Sequence, residues 1–236
     1  MSALLTVEGL HAWYGRAHIL QGVGLTVGRG EVVALMGRNG AGKSTAMKAV
    51  MGLLPERRGR VAFAGTDVSA WPPHRIARLG LGYVPEDRRV FAELTVRENL
   101  EVGRQPPRAG APLWTPERLY ALFPNLAEMK DRRGARMSGG EQQMLTLART
   151  LMGNPSLLLL DEPSEGLAPR IVQQMADAVR TLKAEGLSVL LSEQNLSFAG
   201  AVADRAVVIE KGAIRWDGAM AALLEDDEAR RAYLAV

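Results

Sequence analysis

One stretch decides the fold: Gly37-Arg38-Asn39-Gly40-Ala41-Gly42-Lys43-Ser44-Thr45. It fits the pattern G-x-x-x-x-G-K-[ST], which binds phosphate where it joins a strand to a helix. The apolar run before it, residues 32–36, predicts a buried strand, and residues 44–51 predict a helix. A glycine-rich turn at a helix N-terminus presents unpaired N–H groups and the helix dipole to one spot. The stretch therefore predicts a site for a nucleoside triphosphate.

The residue types in this loop suit that chemistry. Gly37, Gly40 and Gly42 allow the backbone to approach phosphate oxygens where a Cβ atom would obstruct it. Lys43 is expected to reach the β- and γ-phosphates, and the Ser44 hydroxyl is expected to ligate Mg²⁺. The residues predicted to contact the nucleotide here are Gly37, Arg38, Asn39, Gly40, Ala41, Gly42, Lys43, Ser44 and Thr45.

Composition limits the class of protein. The chain has 236 residues, of which 47% are hydrophobic and 23% charged, as in ordinary globular proteins. The absence of cysteine excludes disulfides and thiolate metal sites. No apolar run is long enough to cross a bilayer, and residues 1–5 lack the pattern of a signal peptide. The net charge of +3 is small and basic residues alternate with acidic ones, so no nucleic-acid binding is predicted.

Strands and helices alternate along the chain. Apolar runs predict strands at 4–10, 25–27, 32–36, 81–84, 157–160, 188–191 and 205–210. Helices are predicted at 44–51, 96–102, 116–122, 141–152 and 169–185, with two short helices at the end. Continuously apolar strands separated by helices indicate an α/β fold with a parallel sheet that is covered on both faces.

The middle of the chain has a different character. Between about residues 87 and 152 the patterns are helical, with a proline- and glycine-rich loop at 105–112. We therefore expect one domain over 1–236, with a core of about 1–85 and 155–236 and an inserted helical subdomain of about 86–154.

A second phosphate-site element follows the apolar run 157–160, which ends in Asp161 and Glu162. Ligands of α/β folds bind at the carboxyl edge of the sheet, where these carboxylates would lie. Asp161 is expected to hold Mg²⁺, and Glu162 to polarise the attacking water as a general base.

A third element lies between these two, at Met137-Ser138-Gly139-Gly140-Glu141-Gln142-Gln143. Ser138 can cap the following helix, and the two glycines leave its first N–H groups open to an anion. An ordinary capped helix would have the same residues, so this stretch alone leaves both interpretations open.

The three elements together resemble the nucleotide-binding subunits of ATP-binding-cassette (ABC) transporters, over essentially the whole chain. The resemblance implies a RecA-like P-loop core with a mostly parallel sheet, an antiparallel β edge and an inserted helical subdomain. It also implies ATP as the nucleotide and two subunits that hold two nucleotides between them. Ser138, Gly139, Gly140 and Glu141 would then face the γ-phosphate in the partner's loop.

The resemblance also assigns a role to Tyr14, which matches the aromatic residue that stacks on adenine in that family. A core aromatic at a strand edge is the alternative for this residue.

Further segments are similar to those of the shorter ATP subunit of branched-chain amino acid importers. They are Tyr83-Val84-Pro85-Glu86-Asp87-Arg88-Arg89-Val90-Phe91, Ser164-Glu165-Gly166-Leu167-Ala168-Pro169, Ser192-Glu193-Gln194-Asn195 and the ending Ala229-Arg230-Arg231-Ala232-Tyr233-Leu234. Urea and short-amide importers share much of this sequence pattern.

Two positions depart from the general cassette pattern. Glu86 stands where the family has a glutamine near Mg²⁺; a carboxylate is a good ligand for this cation but repels the γ-phosphate. Gln194 stands where most relatives have a switch histidine. Its neutral amide can donate a hydrogen bond to phosphate but cannot carry a proton. Glu162 is therefore expected to be the base, with Gln194 as the γ-phosphate sensor.

Other nucleotide-binding classes fit less well. A GTPase would carry a guanine-reading N-K-x-D segment, and a DNA-repair cassette would need a long coiled coil. An exporter ATPase remains the alternative, although its domain is often fused to a membrane span.

The resemblance implies a peripheral ATPase on the cytoplasmic side of the membrane. Its expected partners are separate permease subunits, a second ATPase subunit that is either a copy or a homologue, and an external substrate-binding protein. The permease contact is expected near Val90, Phe91, Leu94 and Thr95.

Overall fold

The computed structural model describes residues 3–234. Residues 1, 2, 235 and 236 lie outside the described residues. The expectation that residues 1–5 lack a signal-peptide pattern therefore falls partly outside them. Among the helices of the described part, none combines the length and the apolar character that a membrane crossing requires.

Within residues 3–234, ten strands form two sheets. They are β1 (Leu5–Tyr14), β2 (Ala17–Val27), β3 (Val32–Met36), β4 (Arg57–Phe63), β5 (Thr66–Asp67), β6 (Leu81–Val84), β7 (Leu157–Asp161), β8 (Ser188–Glu193), β9 (Arg205–Glu210) and β10 (Ala213–Ala219). The larger sheet has the order β10-β9-β3-β8-β7-β6, and all of its neighbouring pairs are parallel except β10 with β9. The smaller sheet, β2-β1-β4-β5, is antiparallel.

The described residues also form ten helices, several of which pack on the larger sheet. They are α1 (Lys43–Val50), α2 (Pro73–Leu79), α3 (Val96–Gly103), α4 (Pro116–Leu122), α5 (Pro124–Glu128), α6 (Gly139–Leu151), α7 (Pro169–Ala184), α8 (Leu196–Val202), α9 (Met220–Glu225) and α10 (Asp227–Ala229). A 3₁₀ turn (Gly134–Arg136) precedes α6, and a π-helical turn (Arg230–Leu234) follows α10.

The central strands explain why the sheet is parallel. Every residue of β3, β7 and β8 is buried, so these strands have apolar neighbours on both faces, as parallel strands require. One hydrophobic cluster lies on the face covered by α6, α7 and α8, and another lies between the opposite face, α1 and the antiparallel sheet. The predicted α/β class is confirmed, and the antiparallel part is a separate four-stranded sheet plus the edge strand β10.

Between β6 and β7 the described chain forms helices only, α3 to α6. The buried Asn99 of α3 organises the loop before it: its Oδ1 accepts the Phe91 N–H at 2.9 Å, and its Nδ2 donates to the Phe91 and Leu94 carbonyls. The exact division into a core and a helical subdomain at 86–154 stays a prediction.

Candidate functional site

The predicted phosphate loop joins β3 to α1 through a tight turn. A Cβ atom on Gly37 would lie 2.4 Å from the Ile209 carbonyl oxygen, so only glycine fits this close approach. Gly42 precedes α1 in a left-handed conformation (φ 112°), and no side chain caps the helix. The first N–H groups of α1 therefore remain available to an anion, and the loop fits a phosphate group.

Lys43 reaches back into this loop. Its Nζ donates to the Gly37 carbonyl at 2.7 Å and to the Arg38 carbonyl at 3.2 Å. The same nitrogen forms an ion pair of 2.9 Å with Oε1 of Glu162, and both side chains are buried. A buried charge is tolerated when it is paired and hydrogen-bonded, and this pair satisfies both conditions.

Asp161 collects three hydroxyl groups from three separate elements. Its Oδ1 accepts from Ser44 Oγ at 2.8 Å and from Ser192 Oγ at 2.7 Å, and its Oδ2 accepts from the Tyr83 hydroxyl at 3.0 Å. Burial and the nearby Asp161 carboxylate raise the pKa of Tyr83, so the phenol stays a neutral donor. The adjacent oxygens of Ser44 and Asp161 are the hard ligands that Mg²⁺ prefers.

Glu162 is held in an uncommon backbone conformation. Its φ of 49° is left-handed, and its N–H donates to the Ser192 carbonyl and to Ser192 Oγ, both at 3.1 Å. Gln194 Nε2 donates to Oε2 of Glu162 at 3.3 Å. The predicted base therefore lies between the predicted phosphate lysine and the predicted sensor.

Of these residues, Lys43, Ser44 and Glu162 line one cleft of about 520 Å³, whereas Asp161 and Gln194 are not among its lining residues. Its lining residues are Tyr14, Ile19, Asn39, Gly40, Gly42, Lys43, Ser44, Thr45, Glu86, Glu162 and Glu165. Tyr14 is 49% exposed at the end of β1, so its ring is not part of the core. Glu86 is exposed on the rim.

The stretch at residues 138–141 lies elsewhere, since none of the described residues that line the cleft comes from it. Ser138 Oγ accepts the Glu141 N–H at 3.4 Å, and Glu141 Oε2 accepts the Ser138 N–H at 2.7 Å. This reciprocal capping box leaves Gly139 and Gly140 in the first turn of α6. Glu141 is thus engaged in the cap.

Three side chains at this site had no role assigned from sequence: Tyr83, Ser192 and Glu193. Each lies on a strand next to β7 in the larger sheet, and Ser192 pairs directly with Asp161. The signal was available, because β8 ends in polar residues as β7 does, at the same carboxyl edge.

The sequence that forms this site also matches a known protein family. The model of the ABC transporter family matches residues 20–165. The chain belongs to the ABC transporter family. The family resemblance inferred from sequence is confirmed, and the chain is an ATPase of this family.

Individual relatives cover the whole cassette. The chain is 42% identical to the high-affinity branched-chain amino acid transport ATP-binding protein BraG of Pseudomonas aeruginosa, over 98% of this chain and 99% of BraG. It is 34% identical to the lipopolysaccharide export system ATP-binding protein LptB of Haemophilus influenzae, covering 98% and 97%. It is 33% identical to the probable branched-chain amino acid transport ATP-binding protein LivF of Archaeoglobus fulgidus, covering 95% and 96%.

The fold is also similar to solved cassettes. A nucleotide-free ATP-binding cassette from an ABC transporter superimposes with a TM-score of 0.81 and 26% identity, covering 97% of both chains. The predicted fold class is therefore confirmed.

Proposed function

We propose that this chain is the ATP-hydrolysing subunit of an importer for branched-chain, hydrophobic amino acids. The observation that carries this proposal is the 42% identity to BraG, against 34% to the exporter subunit LptB, both over nearly the full length. In this proposal the chain lies on the cytoplasmic side of the membrane, attached through separate permease subunits and supplied by an external substrate-binding protein.

The cleft residues support a division of labour in hydrolysis. Ser44 and Asp161 would hold Mg²⁺, which supplies charge neutralisation at the phosphates, and Glu86 would approach it from the rim. Lys43 binds phosphate, Gln194 donates to it as the sensor, and Tyr14 stacks on adenine. Glu162 orients a water and accepts its proton. An anion in the loop would compete with Glu162 for Lys43, which would leave the base free for that task.

The helix start at residues 138–141 would serve the nucleotide of a second subunit. Its capping box leaves Gly139 and Gly140 with small, partly exposed backbones at the positive end of a 13-residue helix. Such a surface suits contact with a phosphate that another chain holds.

The permease contact is proposed around Phe91, which is 45% exposed and lines a groove of about 540 Å³ with the exposed Leu53 and Val102. Val90 packs against the core, and Thr95 caps α3 together with Glu98. Phe91 is therefore the residue of the predicted patch with most surface to offer a partner.

The test is substrate-dependent ATP hydrolysis by the assembled transporter. The chain should be co-purified with candidate permease subunits from the same cells and reconstituted with their binding protein. We expect leucine, isoleucine or valine to stimulate hydrolysis. Stimulation by urea or short amides alone would move the assignment to that related importer class. Co-purification with lipopolysaccharide-export permeases, without amino-acid stimulation, would favour the exporter function instead.

A further inference from the structure

One buried carboxylate next to Glu162 and Gln194 has no role in the proposed chemistry. Glu193 is the last residue of β8 and is 1% exposed. No Lys or Arg of the described residues forms an ion pair with it. Burial raises the pKa of Glu193, and hydrogen bonds from the Ser164 hydroxyl and from backbone N–H groups oppose this shift.

Backbone N–H groups from two different loops surround this carboxylate. Its Oε1 accepts the Ser164 N–H at 3.0 Å, in the loop that follows Glu162. Its Oε2 accepts the Gln194 N–H at 3.2 Å and the Asn195 N–H at 3.1 Å. One side chain therefore connects the segment that carries the base to the segment that carries the sensor.

The contact between base and sensor needs such support. Gln194 Nε2 and Glu162 Oε2 are 3.3 Å apart, near the outer limit of a hydrogen bond, so a shift of a few tenths of an ångström would break it. Both segments are bonded to Glu193: the Gln194 N–H donates to it directly, and the Ser164 N–H, two residues after Glu162, donates to its other oxygen.

We propose that Glu193 is a positioning residue that sets the distance between Glu162 and Gln194. The inference rests on the proposed function of those two residues. A carboxylate is the group that fits, because it offers acceptor sites on both oxygens and no donor. A glutamine in its place could satisfy one loop but would turn its NH₂ group toward the N–H donors of the other.

The first test needs no substitution. In the nucleotide-free full-length chain, hydrogen exchange should show slow exchange at the amides of Ser164, Gln194 and Asn195. Exchange at the rate of unprotected amides would overturn the proposal, because the bonds to Glu193 would not persist in solution.

The second test is Glu193→Gln in the full-length chain, with Glu128→Gln as the control for loss of an exposed carboxylate. We expect kcat to fall about 2- to 10-fold, the loss expected when the Gln194 hydrogen bond is removed, because Glu193 acts through that contact. The KM for ATP should stay close to wild type, the melting temperature should fall modestly because buried N–H groups lose an acceptor, and the same three amides should exchange faster. An unchanged kcat would overturn the proposal.

A double-mutant cycle separates positioning from a general structural role. If Glu193 acts through the sensor, Gln194→Ala should lower kcat much less in the Glu193→Gln background than in wild type. Additive losses would contradict the inference. Should Glu193→Gln not fold, Glu193→Asp, which keeps the charge but cannot span both loops, takes its place.

Glu162→Gln, measured in parallel, distinguishes failure of the positioning role from failure of the proposed base. Loss of turnover in Glu162→Gln with normal turnover in Glu193→Gln would refute the positioning role alone. Normal turnover in Glu162→Gln would refute the proposed base.

Discussion

The nucleotide cleft and the start of α6 are both rich in glycine and polar groups, but they differ in how their charges are satisfied. In the cleft, Lys43 is paired with Glu162 and Asp161 receives three hydroxyl groups, all within one chain. At α6, Ser138 and Glu141 are used by the cap, and Gly139 and Gly140 are partly exposed. The cleft is therefore preassembled, whereas the helix start has its proposed role only when a second subunit supplies the nucleotide.

The largest effect is expected from the base, at the centre of the preassembled region. Glu162→Gln keeps the shape and removes the carboxylate, so hydrolysis should fall by about 10²- to 10⁴-fold. ATP binding should survive, and ATP-bound dimers should accumulate on gel filtration. Near-normal turnover in the assembled transporter would show that another residue activates the water.

Lys43→Ala tests whether Lys43 binds the phosphates of ATP within the cleft of a single chain. Loss of the charged hydrogen bonds should weaken ATP affinity by about 10- to 100-fold, measured by calorimetry on the single chain. Lys48→Ala, in the same helix but outside the cleft, is the control for charge.

The same variant tests the ion pair. Lys43→Ala leaves Glu162 as an unpaired buried acid, so the nucleotide-free melting temperature should fall and should recover when Glu162→Gln is added. Wild-type ATP affinity together with an unchanged melting temperature would contradict the assignment of this loop.

The smallest effect is expected from the sensor. Gln194→Ala removes a neutral hydrogen bond, so turnover should fall about 2- to 10-fold. Because an amide does not titrate, wild-type turnover should show no step from this position between about pH 6 and 8, and Gln194→His should introduce one.

This measurement is best made on the chain without a partner that has its own switch histidine. A histidine-like step in wild type that persists after replacement of His11, His18 and His74 would contradict the role of Gln194. Unchanged turnover in Gln194→Ala would do the same.

The fold could be predicted where strands are buried on both faces and could not where they are half-exposed. The run 32–36 matches β3 because continuous apolar residues have a single interpretation in an α/β chain. Strand β4 was missed because it begins Arg57-Arg58-Gly59-Arg60, a charged segment that only its pairing with β1 makes a strand. Strand β10 was missed for the same reason, since alternate residues of this edge strand are exposed.

The candidate site shows the same limit. The motifs predicted Lys43, Asp161 and Glu162, because the residues next to each of them in sequence form a recognisable pattern. The ion pair between Lys43 and Glu162 joins positions 119 residues apart (162 minus 43), and local patterns carry no sign of it. Glu193 was missed because its partners are backbone N–H groups, which every sequence has.

The central claim is that a preassembled cleft in one chain is completed by the start of α6 in another. Mixing two inactive variants tests it most directly. Lys43→Ala disables the cleft and keeps the helix start. Ser138→Asp keeps an N-cap residue but places a negative charge where the partner's phosphate would lie.

Each variant alone should hydrolyse ATP slowly. In a mixture, the intact cleft of the Ser138→Asp chain can face the intact helix start of the Lys43→Ala chain, so turnover should rise well above the sum of the two separate preparations. Turnover equal to that sum, under conditions where Glu162→Gln forms ATP-bound dimers, would contradict the claim.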